Sequence, residues 1–134
     1  MAIKHSESHP VRTDEDVVTA RRIVRQKAIE LQFRLVDQTK IVTATSELAR
    51  NTIIHGKGGE MTLEILSENG REGLRLVFVD NGPGIANLEL ALTDGYSTGS
   101  GMGLGLSGSK RLMSEFAIET EVGKGTKVAV IRWK

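Results

Sequence analysis

A glycine-rich segment, residues 96–110 (YSTGSGMGLGLSGSK), constrains the fold of this chain more than any other feature. Six of the 15 glycines fall between Gly95 and Gly108. An ordinary core helix or strand does not tolerate this density, because each glycine costs backbone entropy when it is ordered. A helical pattern follows, from Leu104 to Phe116. A flexible loop that ends at a helix N-terminus can bind phosphate through free N–H groups and the positive end of the helix dipole.

Two common nucleotide motifs do not account for this segment. Residues 103–108 match the pattern GxGxxG, but a dinucleotide site needs that pattern directly after a buried strand, and the preceding residues are polar and loop-like. The P-loop pattern also fails, because neither Gly56-Lys57 nor Gly123-Lys124 is followed by Ser or Thr. A floppy surface linker is disfavoured because the leucines of the segment continue into an amphipathic helix.

Three other segments complete a candidate site: residues 46–55 (SELARNTIIH), 77–85 (VFVDNGPGI) and 123–127 (GKGTK). Glu47, Asn51 and His55 are spaced four residues apart, so they share one face of a helix. The second segment is an apolar strand that ends in an aspartate and a Gly-Pro-Gly turn. The third is a turn that leads into the last strand of the chain.

Hydrophobic periodicity and turn residues predict the element order β-α-α-β-β-α-β-β. This order favours an α+β fold, a two-layer α/β sandwich with helices on one face of a mixed, mostly antiparallel sheet. The first predicted elements are an edge strand around 8–12, a helix capped by Thr13 or Asp14 that runs to about 31, and a helix over about 37–55. They are followed by strands at about 61–67 and 74–80, a short helical piece at about 87–92, a helix 103–116, and strands at about 118–122 and 127–133.

Composition limits the class of protein. A chain of 134 residues with 39% hydrophobic residues predicts a single domain, 1–134, with a real core. The balance of 18 basic and 17 acidic residues gives no electrostatic sign of nucleic acid as a partner. Without cysteine there are no disulfides or thiolate metal sites. The N-terminus has no apolar core of a signal peptide, and no apolar run reaches the length of a membrane span, so we expect no membrane partner and a cytoplasmic location.

The motifs ELARN, DNGPGI, GSGMGLGL and GKGT, in this order, resemble the GHKL superfamily of gyrase, histidine kinases, the heat-shock chaperone and the mismatch-repair ATPase. The resemblance covers about residues 45–130. Within the superfamily, ELARN and the stretch DGYSTGSGMGLGLSGSKRLMSEF look most like the small bacterial partner-switching serine kinases, with the related anti-sigma-factor kinases as neighbours. The resemblance implies the GHKL (Bergerat) ATP-binding sandwich, with ATP and Mg²⁺ as cofactors.

The same resemblance implies roles for individual residues. Asp80 would accept a hydrogen bond from the adenine amino group, although an aspartate before Gly82 can also simply form an Asx-turn. Thr126 would support Asp80 and an adenine-bound water. Asn51 would supply its amide oxygen to Mg²⁺, and Glu47 would accept the proton of the substrate hydroxyl. The remaining residues implied around the nucleotide are Gly82, Gly84, Gly101, Gly103, Leu104 and Gly105.

For partners, the resemblance implies phosphorylation of a small STAS-domain antagonist on Ser or Thr, and activation of a PP2C-type phosphatase by the free kinase. One alternative is an anti-sigma factor that sequesters a sigma factor and phosphorylates its antagonist. Another is a detached ATPase domain of a histidine kinase, for which Glu47 would be an odd residue. No Lys or Arg lies in 95–109 to grip the γ-phosphate, and the roles of Arg50 and His55 stay open.

Overall fold

The computed structural model of the chain describes residues 1–92 and 106–134, with only the backbone of residues 90 and 91. Within these residues, five strands form one sheet in the order β1-β2-β3-β5-β4. Every pairing between neighbouring strands is antiparallel. The strands are β1 (Ala2–Val11), β2 (Gly59–Glu68), β3 (Arg71–Asp80), β4 (Glu115–Glu121) and β5 (Gly125–Trp133).

Helices cover one face of this sheet. They are α1 (Asp14–Glu30), α2 (Leu35–Ile54), α3 (Leu88–Ala91) and α4 (Leu106–Leu112). Helix α1 begins as predicted: Thr13 is the N-cap, and a capping box joins its side chain and backbone to Asp16. Helix α2 packs against both α1 and α4 and reaches the sheet at β3. It is therefore the central helix of the layer, which explains why it buries residues on more than one face.

The core lies between the two layers. Its sheet side is a row of inward-facing apolar residues on the central strands, including Met61, Leu63, Leu76, Phe78 and Val130. Its helix side includes apolar residues at helical spacing on α1 and α2, namely Val17, Ala20, Val24, Ala28, Ile41, Ala44 and Leu48. The α+β class and the two-layer sandwich are thus confirmed.

The sheet differs from the prediction in one respect. It is not mixed, because each strand pairing in the described part of the chain is antiparallel. The β2–β3 hairpin turns at Asn69 and Gly70, which have positive φ angles of 51° and 79°. Positive φ at both central residues is the geometry that Asn-Gly hairpin turns require.

Two predicted boundaries differ from the described structure by more than three residues. The first strand begins at Ala2 rather than near Ser8, because β1 pairs with β2 along its whole length while most of its side chains stay exposed and polar. The last helix ends at Leu112 rather than at Phe116. The backbone N–H of Ser114 donates to the Ile131 carbonyl (2.8 Å), which turns the chain into β4. Phe116 packs on the core from a strand, a position that its apolar character fits equally well.

Candidate functional site

The centre of the candidate site is the second half of α2. Glu47, Asn51 and His55 follow one another at helical spacing, as predicted, with His55 at the C-cap. Glu47 is half-buried and makes no hydrogen bond or ion pair with the described residues. Asn51 is 7% exposed and His55 is half-buried. Arg50 directly precedes Asn51 in sequence, but it lies on the exposed side of the helix.

Two polar atoms on this face are buried without a hydrogen-bond partner in the described structure: Oδ1 of Asn51 and Nε2 of His55. A buried polar atom without a partner costs free energy, so native proteins keep few of them. Burial also lowers the pKa of His55 below its usual value, so the ring is neutral at neutral pH. Both atoms therefore keep hydrogen-bonding capacity that the described residues do not use.

The turn that ends α2 joins this face to the sheet. The backbone N–H groups of His55 and Gly56 both donate to the Asn51 carbonyl, at 3.0 and 3.3 Å. Two residues of this turn have positive φ angles: Lys57, in the left-handed conformation (φ 62°), and Gly58 (φ 97°). Gly56 serves another purpose: a Cβ atom there would lie 2.3 Å from Cγ of Asp80. Only glycine lets the end of α2 approach the aspartate this closely.

Asp80 is the last residue of β3 and is 7% exposed. Its Oδ1 accepts a hydrogen bond from the Gly82 N–H (2.9 Å), so it does form the Asx-turn that the sequence allows. Gly82 packs in turn on the Gly56 backbone, where a Cβ would lie 2.7 Å from the Gly56 Cα. The Asx-turn uses one carboxylate oxygen. The other, Oδ2, lies beside Gly56.

Thr126 lies opposite Asp80 in the pairing of β3 with β5. Its hydroxyl pairs with Oγ1 of Thr120 at 2.9 Å. Thr120 also donates to the Gly125 carbonyl (3.2 Å) and accepts from the Ile85 N–H (2.9 Å). Thr120 belongs to none of the motifs that predict the site, although the alternation of β4 places it on the inner face with Phe116 and Ile118.

The Gly-Pro-Gly turn is fixed against the β4–β5 hairpin. The Gly123 N–H donates to the Pro83 carbonyl at 2.8 Å. Gly84 has a φ of 76°, and a Cβ there would lie 2.3 Å from the Glu121 carbonyl oxygen. Gly125 has a φ of 94°, and a Cβ there would lie 2.1 Å from the Asp80 carbonyl oxygen. Gly84 and Gly125 are thus required by both space and conformation.

A cleft of about 270 Å³ opens at this hairpin. Asp80 and Thr126 line it, whereas Asn51 and Glu47 do not. The predicted residues Gly101, Gly103, Leu104 and Gly105 lie outside the described residues. Leu106, which follows them, is fully buried as the first residue of α4.

No group of three His, Asp or Glu side chains in residues 1–92 and 106–134 has an arrangement that could hold a metal ion. His5 and His9 both contact the carboxylate of Glu7 on β1. Asn51 differs from these groups because its side-chain oxygen is buried and has no hydrogen-bond partner in the part of the chain that the structure describes. Among the described helices, none is long and apolar enough to cross a membrane.

Comparison with known proteins places this geometry in a family. Residues 36–134 match the model of the histidine kinase-, DNA gyrase B-, and HSP90-like ATPases. The chain is 42% identical over 123 residues to the serine/threonine-protein kinase RsbT of Bacillus subtilis, covering 92% of each chain. It is 36% identical over 115 residues to the anti-sigma F factor of Clostridium acetobutylicum, covering 81% of this chain and 79% of that protein.

Solved structures show the same fold. A structure of the RsbU and RsbW domains of a Mycobacterium tuberculosis protein matches with a TM-score of 0.66 at 20% identity over 98% of this chain, which spans 33% of that longer chain. The catalytic domain of histidine kinase ThkA matches with a TM-score of 0.54 at 17% identity, covering 98% and 95% of the two chains.

This chain belongs to the family of histidine kinase-, DNA gyrase B-, and HSP90-like ATPases, which is the GHKL superfamily predicted from its motifs. The predicted kind of enzyme, one of the serine/threonine-protein kinases in this family, is confirmed by its likeness to RsbT.

Proposed function

We propose that the chain transfers the γ-phosphate of ATP, with Mg²⁺, to a Ser or Thr of an antagonist protein in a bacterial partner-switching pathway. The observation that carries this proposal is the buried Oδ1 of Asn51, which has no hydrogen-bond partner among the described residues. It lies one helical turn after Glu47, which also has no partner among them. A site that only held the fold together would have no reason to leave that oxygen unsatisfied.

The adenine ring of the nucleotide would bind at Asp80. Its Oδ1 is used by Gly82, so Oδ2 is the oxygen left for the adenine amino group. Gly56 and Gly82 pack backbone against backbone and leave no side chain between α2 and the aspartate. We assign Gly84 and Thr126 to the walls of the same end. We propose that Gly101, Gly103, Leu104 and Gly105, which lie outside the described residues, surround the phosphates, as the family resemblance implies.

At the phosphate end, Asn51 fits a Mg²⁺ site because an amide oxygen is a ligand that this hard ion accepts. Asn51 would hold the ion through Oδ1, and the ion would offset negative charge on the phosphates. Glu47, half-buried and without a partner in the described structure, would accept the hydroxyl proton as the phosphate is transferred. One base and one ion suffice, because phosphoryl transfer depends mainly on positioning and charge neutralisation.

The likeness to RsbT favours a STAS-domain antagonist as the protein substrate and a PP2C-type phosphatase as the protein that the free kinase activates. The likeness to anti-sigma F factors supports a second candidate, an anti-sigma factor that sequesters a sigma factor and phosphorylates its antagonist. The greater identity to RsbT, over more of the chain, favours the first. In either case we propose a single domain, 1–134, that works in the cytoplasm.

Radiolabelled transfer tests the proposal. The chain is incubated with γ-labelled ATP, Mg²⁺ and each purified STAS-domain protein of the same genome. We expect acid-stable label on one of them, as phosphoserine or phosphothreonine, and none when Mg²⁺ is chelated. Acid-labile label would indicate phosphohistidine and contradict a serine/threonine kinase. Pull-down with a purified PP2C-type phosphatase or sigma factor then separates the two candidate partners.

A further inference from the structure

Thr120 joins three segments around the end of the site that is proposed to bind adenine. Its Oγ1 accepts a hydrogen bond from the Ile85 N–H, directly after the Gly-Pro-Gly turn (2.9 Å), and donates one to the Gly125 carbonyl at the start of β5 (3.2 Å). Its third partner is Oγ1 of Thr126, at 2.9 Å. Thr120 and Thr126 both line the cleft beside Asp80.

The direction of the bond between the two hydroxyls follows from the other two bonds of Thr120. A threonine hydroxyl has one proton and two lone pairs. A backbone N–H can only donate, so Ile85 occupies one lone pair of Thr120. A carbonyl can only accept, so the proton of Thr120 points to Gly125. The remaining lone pair of Thr120 needs a donor, and that donor is the hydroxyl of Thr126.

This direction fixes what Thr126 can offer to a ligand. Its single proton is used by Thr120, and its hydroxyl makes no other hydrogen bond with the described residues. Thr126 lies opposite Asp80 in the pairing of β3 with β5. Only lone pairs of the Thr126 hydroxyl are left for a ligand in the cleft, and a carboxylate oxygen such as Oδ2 of Asp80 is an acceptor as well. The two side chains together therefore present acceptors and no donor.

We infer that Thr120 is a positioning residue for selection of the base. By holding the proton of Thr126, it makes this end of the site select a purine with an amino group at position 6 over one with a carbonyl group there. An amino group has protons for both acceptors, whereas a carbonyl oxygen would face lone pairs of Asp80 and Thr126. The inference rests on the proposed function for the nucleotide, but it concerns the choice of base and not phosphate transfer.

The test compares the affinities of ATP and inosine triphosphate (ITP), which carries a carbonyl group in place of the 6-amino group. Both are measured by calorimetry with Mg²⁺ and without a protein substrate. The wild type should prefer ATP by at least about tenfold. In Thr120→Val, the Thr126 hydroxyl is free to turn its proton into the cleft, so this preference should fall about two- to tenfold, the effect of one neutral hydrogen bond. Thr120→Ser keeps the hydroxyl and should keep the preference.

Thr126→Val tests the direction of the bond independently and loses only one hydrogen bond of the described structure. Removal of an acceptor lowers the preference for ATP, whereas removal of a donor raises it. We expect a lower preference, and adding Thr120→Val to this variant should not lower it further, because Thr120 acts through Thr126. Thr45→Val is the matched control: it loses a buried hydroxyl bond to the Ile41 carbonyl (2.8 Å) outside the residues that line the cleft, so it should keep the preference.

Each outcome bears on one claim. If Thr120→Val weakened the binding of both nucleotides in equal proportion, Thr120 would be structural only and the inference would be overturned. A raised preference for ATP in Thr126→Val would also overturn it, and so would equal binding of ATP and ITP by the wild type. If the wild type bound neither nucleotide, the proposed function would fail and the inference with it. The expected preferences without phosphate transfer to any STAS-domain protein would contradict the proposed function alone.

Discussion

The two ends of the candidate site are built differently. At the end that is proposed to bind adenine, Asp80, Thr120 and Thr126 have hydrogen-bond partners. The backbones of Gly56 and Gly82 are in contact there. At the other end, on α2, the Asn51 and His55 side chains leave buried atoms unpaired, and Glu47 has no partner in the described structure. The first end is held by the fold itself, whereas the second keeps polar groups that the fold does not use.

This difference suggests that one end of the site holds the nucleotide in place and the other end takes part in phosphate transfer. A preorganised aspartate can recognise a base with little rearrangement, which favours affinity. Polar side chains without protein partners on a rigid helix can interact with the charges of a bound metal ion and phosphates. Such interactions favour transfer of phosphate. Substitutions at the two ends should therefore affect different quantities. The next four predictions are arranged from the largest expected effect to the smallest, and the test of the adenine site comes last.

Glu47→Gln should lower the rate of phosphate transfer by about 10²–10⁴-fold, because a positioned base contributes on that scale. Glutamine keeps the size of the side chain but cannot accept the proton. ATP affinity should stay within about twofold of the wild type, because Glu47 is assigned to the hydroxyl and not to the nucleotide. Single-turnover transfer and calorimetry of the same preparation check both parts. A transfer rate like that of the wild type would remove Glu47 as the base.

Asn51→Ala should weaken binding of ATP with Mg²⁺ by roughly 10- to 100-fold, which corresponds to the loss of one interaction with a charged group. Affinity for ATP in the presence of a chelator should change much less. The melting temperature should change little, because the buried Oδ1 has no partner to lose in the described structure. A large loss of stability with unchanged Mg²⁺ dependence would instead make Asn51 a structural residue.

Thr120→Val should lower the free energy of unfolding by about 1–3 kcal/mol, because it leaves the Ile85 N–H without its acceptor and removes the bond to the Gly125 carbonyl. Thr126→Val is the matched control, since it loses only the pairing with Thr120 and should cost less stability. Urea unfolding of both variants gives the comparison. Equal costs would show that Thr120 is not the residue that fixes the turn at Ile85.

Asp37→Asn should have the smallest effect and a distinct pH dependence. The hydrogen bond from Arg132 is the main cause that lowers the pKa of Asp37 below 3.8 in the folded chain. The ion pair therefore stabilises the fold above the unfolded pKa, and this contribution is lost as the pH falls through the lowered folded pKa. We expect Asp37→Asn to cost about 1 kcal/mol at neutral pH. The difference from the wild type should vanish in strong acid, as measured by thermal unfolding across pH. A difference that persists in strong acid would contradict the ion pair.

The sequence was sufficient for the parts of the site that depend on local pattern. The spacing of Glu47, Asn51 and His55 places them on one helix face, and an apolar strand followed by Gly-Pro-Gly places Asp80 at a strand end. These features follow from periods of 3.6 and 2 residues that a sequence displays directly.

The parts that failed depend on contacts between distant segments. Thr120 lies inside a strand that was predicted, but its bond to Ile85 joins residues that are 35 apart in sequence. Gly56 follows the end of a helix, where glycine is common for conformational reasons, but here the need for glycine comes from its approach to Asp80 on another element. The start of β1 was missed because a polar edge strand has little hydrophobic alternation to display.

Calorimetric titration of Asp80→Asn with ATP and Mg²⁺ tests the central claim most directly. Asparagine can keep the Asx-turn to Gly82 through its carbonyl oxygen, so the fold should survive, while an amide nitrogen at the Oδ2 position would face the adenine amino group. We predict that ATP affinity falls by at least about tenfold, as expected for a lost hydrogen bond to a charged group, with the melting temperature nearly unchanged. If this variant bound ATP as tightly as the wild type does, the assignment of Asp80 to the adenine amino group would be contradicted.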